Sequence, residues 1–250
     1  YIRDEDNGRF WSPTPLPAAG LTPYVTRHGF GYSVFEHDEN GIISELWVYV
    51  AVDAAIKFLV LKIRNKSGRA RRLSVTGYFE LVLGELRSKE SIHVFSEIDP
   101  DSGALFAQNF FNTDFAGRIA FFDVNTSERY VTADRNEFLG RNGTPAHPEA
   151  LKRVSLSGKV GAALDPCAAM QVPFEIADDE EKEIVFTLGI GHNIEDARSL
   201  VTRFRGTEPA RYALESVWQY WNRTLGVIYV ETPEPTINIL TNGWLLYQTL

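Results

Sequence analysis

The sequence predicts a mainly β protein, an antiparallel sandwich followed by α-helices. Three observations carry this. From Gly29 to Gly191, segment after segment alternates apolar and polar residues with a period of two. No helical pattern separates these segments, which argues against the crossovers of a parallel sheet. After Gly191 the apolar residues recur every three or four positions instead.

The first element is RHGFGYSVFEH, Arg27 to His37. A phosphate-cradling G-x-G-x-x-G would need glycine at position 34, where Val34 stands, and no helix follows. Phe30, Tyr32 and Val34 alternate with Gly31, Ser33 and Phe35, so the stretch reads as a strand. Its glycines would mark a bulge or a close approach to a neighbouring strand or a ligand. Ser44–Val52 and Ile56–Asn65 are the next strands. The turn NKSG then joins Ile56–Asn65 to Arg71–Leu83 as a hairpin. In Arg71–Leu83, Leu73, Val75, Gly77, Phe79, Leu81 and Leu83 share one face. Ser74, Thr76, Tyr78 and Glu80 share the other, as in a half-buried strand. Gly103–Asn109, Arg118–Asn125, Ala168–Ile176 and Glu181–Gly191 complete the strand set.

Asn193–Phe204 opens with a capping Asn and early acids, and Ile194, Ala197, Val201 and Phe204 form its apolar stripe. Pro209–Leu225 starts with proline in the first turn and stacks Leu214, Val217, Trp218, Trp221 and Leu225. A third helix is expected over Pro235–Leu250. Its apolar Ile237, Leu240, Trp244 and Leu245 lack an evident partner.

The chain has 250 residues, 44% of them hydrophobic, enough for a single large β domain. The net charge of −8 argues against nucleic acid or an anionic membrane as partner, because both attract clustered Lys and Arg. The basic run RNKSGRARR reads as a polar turn. Cys167 is the single cysteine, so no internal disulfide forms, in keeping with a reducing compartment. No apolar run reaches the ~20 residues of a membrane-spanning helix. The sequence opens without an initiator Met, and we read it as a fragment.

Chemical motifs are few. His28, His37, His93, His147 and His192 lack metal-ligand spacing, and no metal site is expected. RDEDNG (Arg3–Gly8) begins like a calcium loop but lacks the later ligands and reads as a turn. ADDEEKE (Ala177–Glu183) reads as a solvated turn between strands. No G-x-S-x-G elbow is present, and the sequence alone pairs no carboxylates for glycoside chemistry. Trp11, Tyr32, Trp47, Phe110, Phe111, Phe121 and Phe122 could stack on sugars, but core packing is the commoner use of such rings.

Six phrases occur together in one order: YIRDEDNGRFWSP, YVTRHGFGYSVFEHDENGI, LKIRNKSGRARRLSVTGYFELVLG, DRNEFLG, EKEIVFTLGIG and TLGVIYVETPEPTINILTNGWLLYQTL. In that order they resemble the amino-terminal region of glycoside hydrolase family 94, formerly glycosyltransferase family 36. WSPTPLP and NGWLLYQTL look most similar to the cyclic β-1,2-glucan synthase and β-1,2-oligoglucan phosphorylase branch. The resemblance implies a galactose mutarotase-like supersandwich over 1–191, with its opening strands preceding Tyr1. Linker helices over 192–227 and the start of an (α/α)6 barrel over 228–250 would follow. By the family pattern the two glycines of HGFGYS are structural.

The family reaction is inverting phosphorolysis. An Asp protonates the glycosidic oxygen while inorganic phosphate attacks the anomeric carbon, so no separate base is needed. In the family those residues lie in the barrel, and none is carried over here. Inorganic phosphate would be a co-substrate, and no cofactor is implied. The implied partners are a β-glucan oligosaccharide, the barrel of the same polypeptide and a second copy in a homodimer. The implied location is cytoplasmic, with any inner-membrane attachment made by other parts of the parent.

Related phosphorylases carry, after the strand equivalent to Arg71–Leu83, a loop that reaches the acceptor sugar. Cellobiose phosphorylases use a Gln-Arg pair there, which this sequence lacks. In its place Gly84–Phe95 offers Arg87, Lys89, Glu90 and His93 as substrate-binding candidates. Two other functions compete with a non-catalytic front domain: a stand-alone carbohydrate-binding β-sandwich, and a mutarotase-like enzyme, the latter on fold analogy alone.

Overall fold

The computed structural model describes residues 1–249. In chain order its strands are β1 (Ile2–Asp4), β2 (Phe10–Trp11), β3 (Tyr24–Gly29), β4 (Tyr32–Glu39), β5 (Ile42–Val50), β6 (Ile56–Asn65) and β7 (Arg71–Glu80). Then come β8 (Val94–Ile98), β9 (Leu105–Asn109), β10 (Ile119–Val124), β11 (Tyr130–Asp134), β12 (Pro166–Ile176) and β13 (Glu181–Gly191). They form two antiparallel sheets. The larger runs β3-β4-β5-β6-β13-β10-β9-β8 and the smaller β11-β12-β7-β1-β2.

The molecule has four layers. Between the sheets, Leu46, Leu61, Leu73, Phe122, Met170 and Phe186 belong to one core. On the outer face of the larger sheet, Phe58, Phe106 and Phe121 meet Val201, Phe204 and Val217 of two helices. Those helices are α3 (Ile194–Phe204) and α4 (Thr207–Leu225), which follow the short helices α1 (Arg87–Glu90) and α2 (Arg135–Leu139). Beyond the smaller sheet, Phe138, Leu139, Ala150 and Leu156 cover Cys167 and Ala169. Full burial of each such Phe or Leu stabilises by about 1.5–3 kcal/mol relative to exposure.

Helix α3 is joined to the larger sheet by charge as well as by packing. The Arg198 guanidinium donates twice to Asp99 Oδ1, at 2.9 and 2.7 Å. Arg205 grips both oxygens of Asp123 at 2.7 and 2.9 Å, and Arg129 adds a third donor at 3.2 Å. Both aspartates are fully buried. Asn193 caps α3 by accepting from Asp196 N at 2.9 Å, as its position at the start of the apolar stripe predicts.

Four expectations are corrected. NKSG does not close a hairpin: β6 pairs with β5 and β13, and β7 with β12 and β1, in the other sheet. The turn is a corner between sheets, and Asn65 holds it by donating to Arg69 O, Ile176 O and Ala177 O. Second, β7 is not half-buried along its length. Ser74 and Thr76 are buried, and Tyr78 stacks on Phe138 at 4.3 Å, because the segment after β11 folds over that face.

Third, HGFGYS is not one strand but the turn between β3 and β4, whose register pairs Gly29 with Tyr32. Gly31 has φ +80, and a Cβ there would overlap the Trp221 ring, so the close approach is to helix α4. Fourth, the expected third helix is broken. Helix α5 (Pro235–Ile239) gives way to an irregular turn and then α6 (Leu245–Tyr247). Asn242 exchanges hydrogen bonds of 2.7 Å with Val230 N and O, and Gly243 has φ +132 with Phe30 against it. The broken segment turns Trp244 and Tyr247 onto Phe30, at 6.3 and 5.2 Å between ring centroids. Leu250, the end of the predicted helix, lies outside the described residues.

Candidate functional site

The expected site segment lies at the end of the sandwich where β7 and β9 finish. After Leu81 the chain leaves the sheet through Leu83, a non-glycine residue at φ +47. Such a conformation costs about 1 kcal/mol or more and needs support from its surroundings. Asn109, at the end of β9, supplies that support. Its amide donates to Leu83 O at 3.0 Å and to Glu90 Oε2 at 2.5 Å. Its oxygen accepts from Phe111 N at 2.9 Å and from Asn112 N at 3.2 Å. Asn112 repeats the device, accepting from Asp114 N and Phe115 N. One buried side chain thus fixes two loops, Gly84–His93 and Phe110–Arg118.

The four candidate residues divide by what they touch. Arg87 donates to Glu80 at 3.0 Å and to Asp165, and Arg135 donates to the same two carboxylates at 2.8 and 3.4 Å. Both guanidinium arms of Arg87 are therefore engaged within the fold. Burial alone would raise the Glu80 pKa, but Arg135 and Arg87 outweigh it and hold the carboxyl below the usual range. Glu90 is held by Asn109. Lys89 is exposed and pairs with Glu85 at 3.6 Å, a contact of little energetic weight. The His93 ring stacks on Phe111, with 4.3 Å between centroids and 14° between planes.

Phe110, Phe111, Phe121 and Phe122 are among the rings for which core packing is the commoner use and sugar stacking the alternative. Phe121 and Phe122 are buried, but Phe110, Phe111 and Phe115 are 70%, 69% and 58% exposed, and Ile92 is 73% exposed. Together with His93 they make an aromatic ledge at the mouth of the loops. Its signal was present in FFNTDFAG, where Asn112 and Gly117 mark a loop rather than a strand. Such a ledge can stack on a ring or dock on an apolar surface.

The calcium-like RDEDNG is a structural corner. Asp4 accepts from Arg71 at 2.5 Å, from Asn7 at 2.6 Å and from Asp6 N at 2.9 Å, so its oxygens are occupied. Among the described residues, no group of three or more His, Cys, Asp or Glu is arranged to hold a metal ion, and no helix is long and apolar enough to cross a membrane. The Cys167 thiol is buried and pushed up in pKa by desolvation, which makes it a poor nucleophile.

Several known proteins are similar to this chain. The chain is 34% identical over 252 residues to the cyclic beta-(1,2)-glucan synthase NdvB of Rhizobium meliloti, covering 100% of this chain and 9% of that protein. It is 26% identical to the N,N'-diacetylchitobiose phosphorylase of Vibrio furnissii, covering 99% of this chain and 32% of that one. The chain therefore spans a third or less of the length of these relatives. Among solved structures, a polysaccharide lyase aligns with 67% of this chain and 23% of its own, at a TM-score of 0.40 and 9% identity. A family model described as the supersandwich domain of glycosyl hydrolase 94 matches residues 1–207, most of the chain, and the protein belongs to that family.

Proposed function

We propose that this chain is a non-catalytic platform within a β-glucan phosphorylase or cyclic β-glucan synthase. The sandwich over 1–191 would support a helical catalytic barrel of the same polypeptide, with 192–227 as linker helices and 228–250 as the barrel's first part. The observation that carries this reading is the alignment of the whole chain with 9% of a glucan synthase and 32% of a phosphorylase. The relatives' names supply the chemistry: transfer of a β-linked sugar, with inorganic phosphate as the co-substrate in the phosphorylases. Assembly as a homodimer, and a cytoplasmic location with attachment through other parts of the parent, belong to the same proposal.

In this reading the loops Gly84–His93 and Phe110–Arg118 face the acceptor end of the sugar cleft. His93 and Lys89 are the groups able to reach a hydroxyl, while Arg87 and Glu90 hold the loop in shape. The exposed ledge supports this, since sandwich ends seldom display three phenylalanines without a partner. The test uses the full-length parent incubated with phosphate and β-1,2-glucan or cellobiose, with glucose 1-phosphate as the readout. The chain of residues 1–250 alone is expected to form none. In the parent, His93→Ala should raise acceptor KM by about tenfold, the loss of one hydrogen bond to a polar partner. Arg87→Ala should lower thermal stability as well as acceptor binding. Unchanged acceptor kinetics in both variants would place the acceptor site entirely outside this domain.

A further inference from the structure

A cleft lies on the outer face of the larger sheet, where helix α4 passes over strands β5, β6 and β13. Its volume is about 450 Å³. Two tryptophans form a corner in it. Trp47 of β5 and Trp218 of α4 have their ring centroids 6.1 Å apart, with 68° between their planes. Trp47 is braced from behind by Tyr32, stacked at 5.5 Å, and its Nε1 donates to Glu45 at 2.5 Å. The floor is Tyr49, fixed by donating its hydroxyl to Ala210 O at 2.6 Å. Trp218 is 38% exposed and Trp47 is half-buried, so both rings present surface to the cleft.

The polar groups around the corner are mixed: Lys62 and Arg211 pair with Glu45 and Glu208, while Glu183 and Glu215 have no ion-pair partner among the described residues. Lys62 sits 5.9 Å from the Trp47 ring centroid and 3.7 Å from Glu45. Glu183, opposite Lys62 in the β6–β13 register, lines the cleft. Desolvation raises its pKa, only partly opposed by Lys62 and Arg211, and no hydrogen bond contributes to the shift. A partly desolvated carboxylate to which no donor is turned gains from a hydroxyl offered to it. Glu215 and Arg211 complete the rim. Glu183, Glu208 and Glu215 outnumber Lys62 and Arg211, which disfavours an anion, and among the described residues no three acids are grouped to hold a metal cation. A perpendicular aromatic corner with one acceptor and one donor fits a neutral ring that has a C–H face and hydroxyl edges.

We propose that this cleft is a glycan-binding site for β-linked glucosyl units, separate from the acceptor loops. A gluco-configured pyranose carries only axial hydrogens on its two faces, so it can lie flat on Trp218 with its edge against Trp47. Its equatorial hydroxyls then donate to Glu183 and accept from Lys62. The choice of glucose rests on the glucan reading above, and the site itself on the cleft. It would hold a polymeric product or substrate on the domain while the chemistry proceeds elsewhere.

Isothermal titration of the 250-residue chain with β-1,2-linked glucose oligosaccharides tests this, with saturation-transfer NMR to locate the contact and maltooligosaccharides as the α-linked comparison. The expected result is millimolar or tighter binding that perturbs tryptophan resonances. Trp218→Ala should weaken it by about tenfold or more, as for a central aromatic contact. Glu183→Gln, which keeps shape and volume, should weaken it several-fold, and Val154→Ala, exposed on the side of the smaller sheet and away from both sites, should leave it unchanged. Circular dichroism of each variant confirms the fold. Absence of binding overturns the proposal and leaves the acceptor-loop reading to its own kinetic test in the parent. Binding lost in Phe111→Ala but kept in Trp218→Ala and Glu183→Gln also overturns it, and would support the acceptor loops instead.

Discussion

The two ends of the sandwich are built on different principles. At one end lie the turns at Asn40-Gly41, Asn65–Arg69 and Ala177–Glu180, with the Asp4–Gly8 corner beside them. Charges meet there in pairs: Lys66 and Arg64 on Asp179, Arg69 and Arg72 on Asp6, Arg71 on buried Asp4. The basic run and the two acidic runs of the sequence thus neutralise one another. At the other end lie the Phe30-Gly31 turn, the loops after β7 and β9, and the broken helix after Pro235. Rings meet there, and several stay exposed. An end that satisfies itself has nothing left to offer, whereas an end with unspent aromatic surface is where another part of a protein, or a sugar, can be received.

The largest effect should come from the self-satisfied end. Arg71 is 6% exposed and its partner Asp4 is fully buried. Arg71→Ala would leave a buried carboxylate unpaired, and should cost about 3–5 kcal/mol in urea unfolding. A loss below 1 kcal/mol would show that this corner is not sealed by charge. At the aromatic end the comparable residue is Asn109. Asn109→Ala removes four hydrogen bonds but no buried charge, and should cost about 1–3 kcal/mol. It should also release both loops to faster hydrogen exchange, which Arg71→Ala should not do.

Acid should loosen both ends. Glu80 and Asp6 have folded pKa values below the ordinary carboxylate range. For Asp6 the Arg72 hydrogen bond is the chief cause. A depressed pKa stabilises the fold above the unfolded value of about 4 and loses that contribution as pH falls through the lower folded value. The melting temperature should therefore decline on acidification below about pH 4, and Glu80→Gln should flatten that decline. An unchanged acid limb in the variant would remove Glu80 from the account. The smallest effect belongs to Asp179→Ala. Its side chain is 63% exposed, and losing two surface ion pairs there should shift stability by about 0–1 kcal/mol, visible only at low salt.

Much of this was legible in the sequence. Strands such as Ile56–Asn65 and Glu181–Gly191 appear with the predicted bounds, because one or both faces are buried and the alternation is strong. Strand β3 was missed because its burial is slight and its residues YVTRHG carry no apolar period. The hairpin error has a different cause. Alternation fixes which residues face a core but not which sheet a strand joins, and Asn65 turned the chain where a tight hairpin looked sufficient. Asn242-Gly243 was visible as a helix breaker, yet the surrounding apolar spacing outweighed it. At the candidate site the loop was legible as charged and irregular. Its dependence on Asn109 was not, since that residue comes from another strand nineteen positions from Glu90. The facing tryptophans of the cleft under α4 were likewise unpaired in the sequence, being 171 residues apart in numbering, from 47 to 218.

The forks that join Arg198 and Arg205 to Asp99 and Asp123 have a mechanical meaning. An apolar helix–sheet contact alone can slide, because its energy changes little with a small shear. Two guanidinium groups gripping buried carboxylates on neighbouring parts of one sheet set both the rotation and the axial position of α3. Whatever is connected through α4 then inherits its coordinates from the sheet rather than from the loop between them. A push on the end of α4 would be carried into the β8–β10 side of the larger sheet as load, and the sandwich would behave as an anchor block for the helices packed on it.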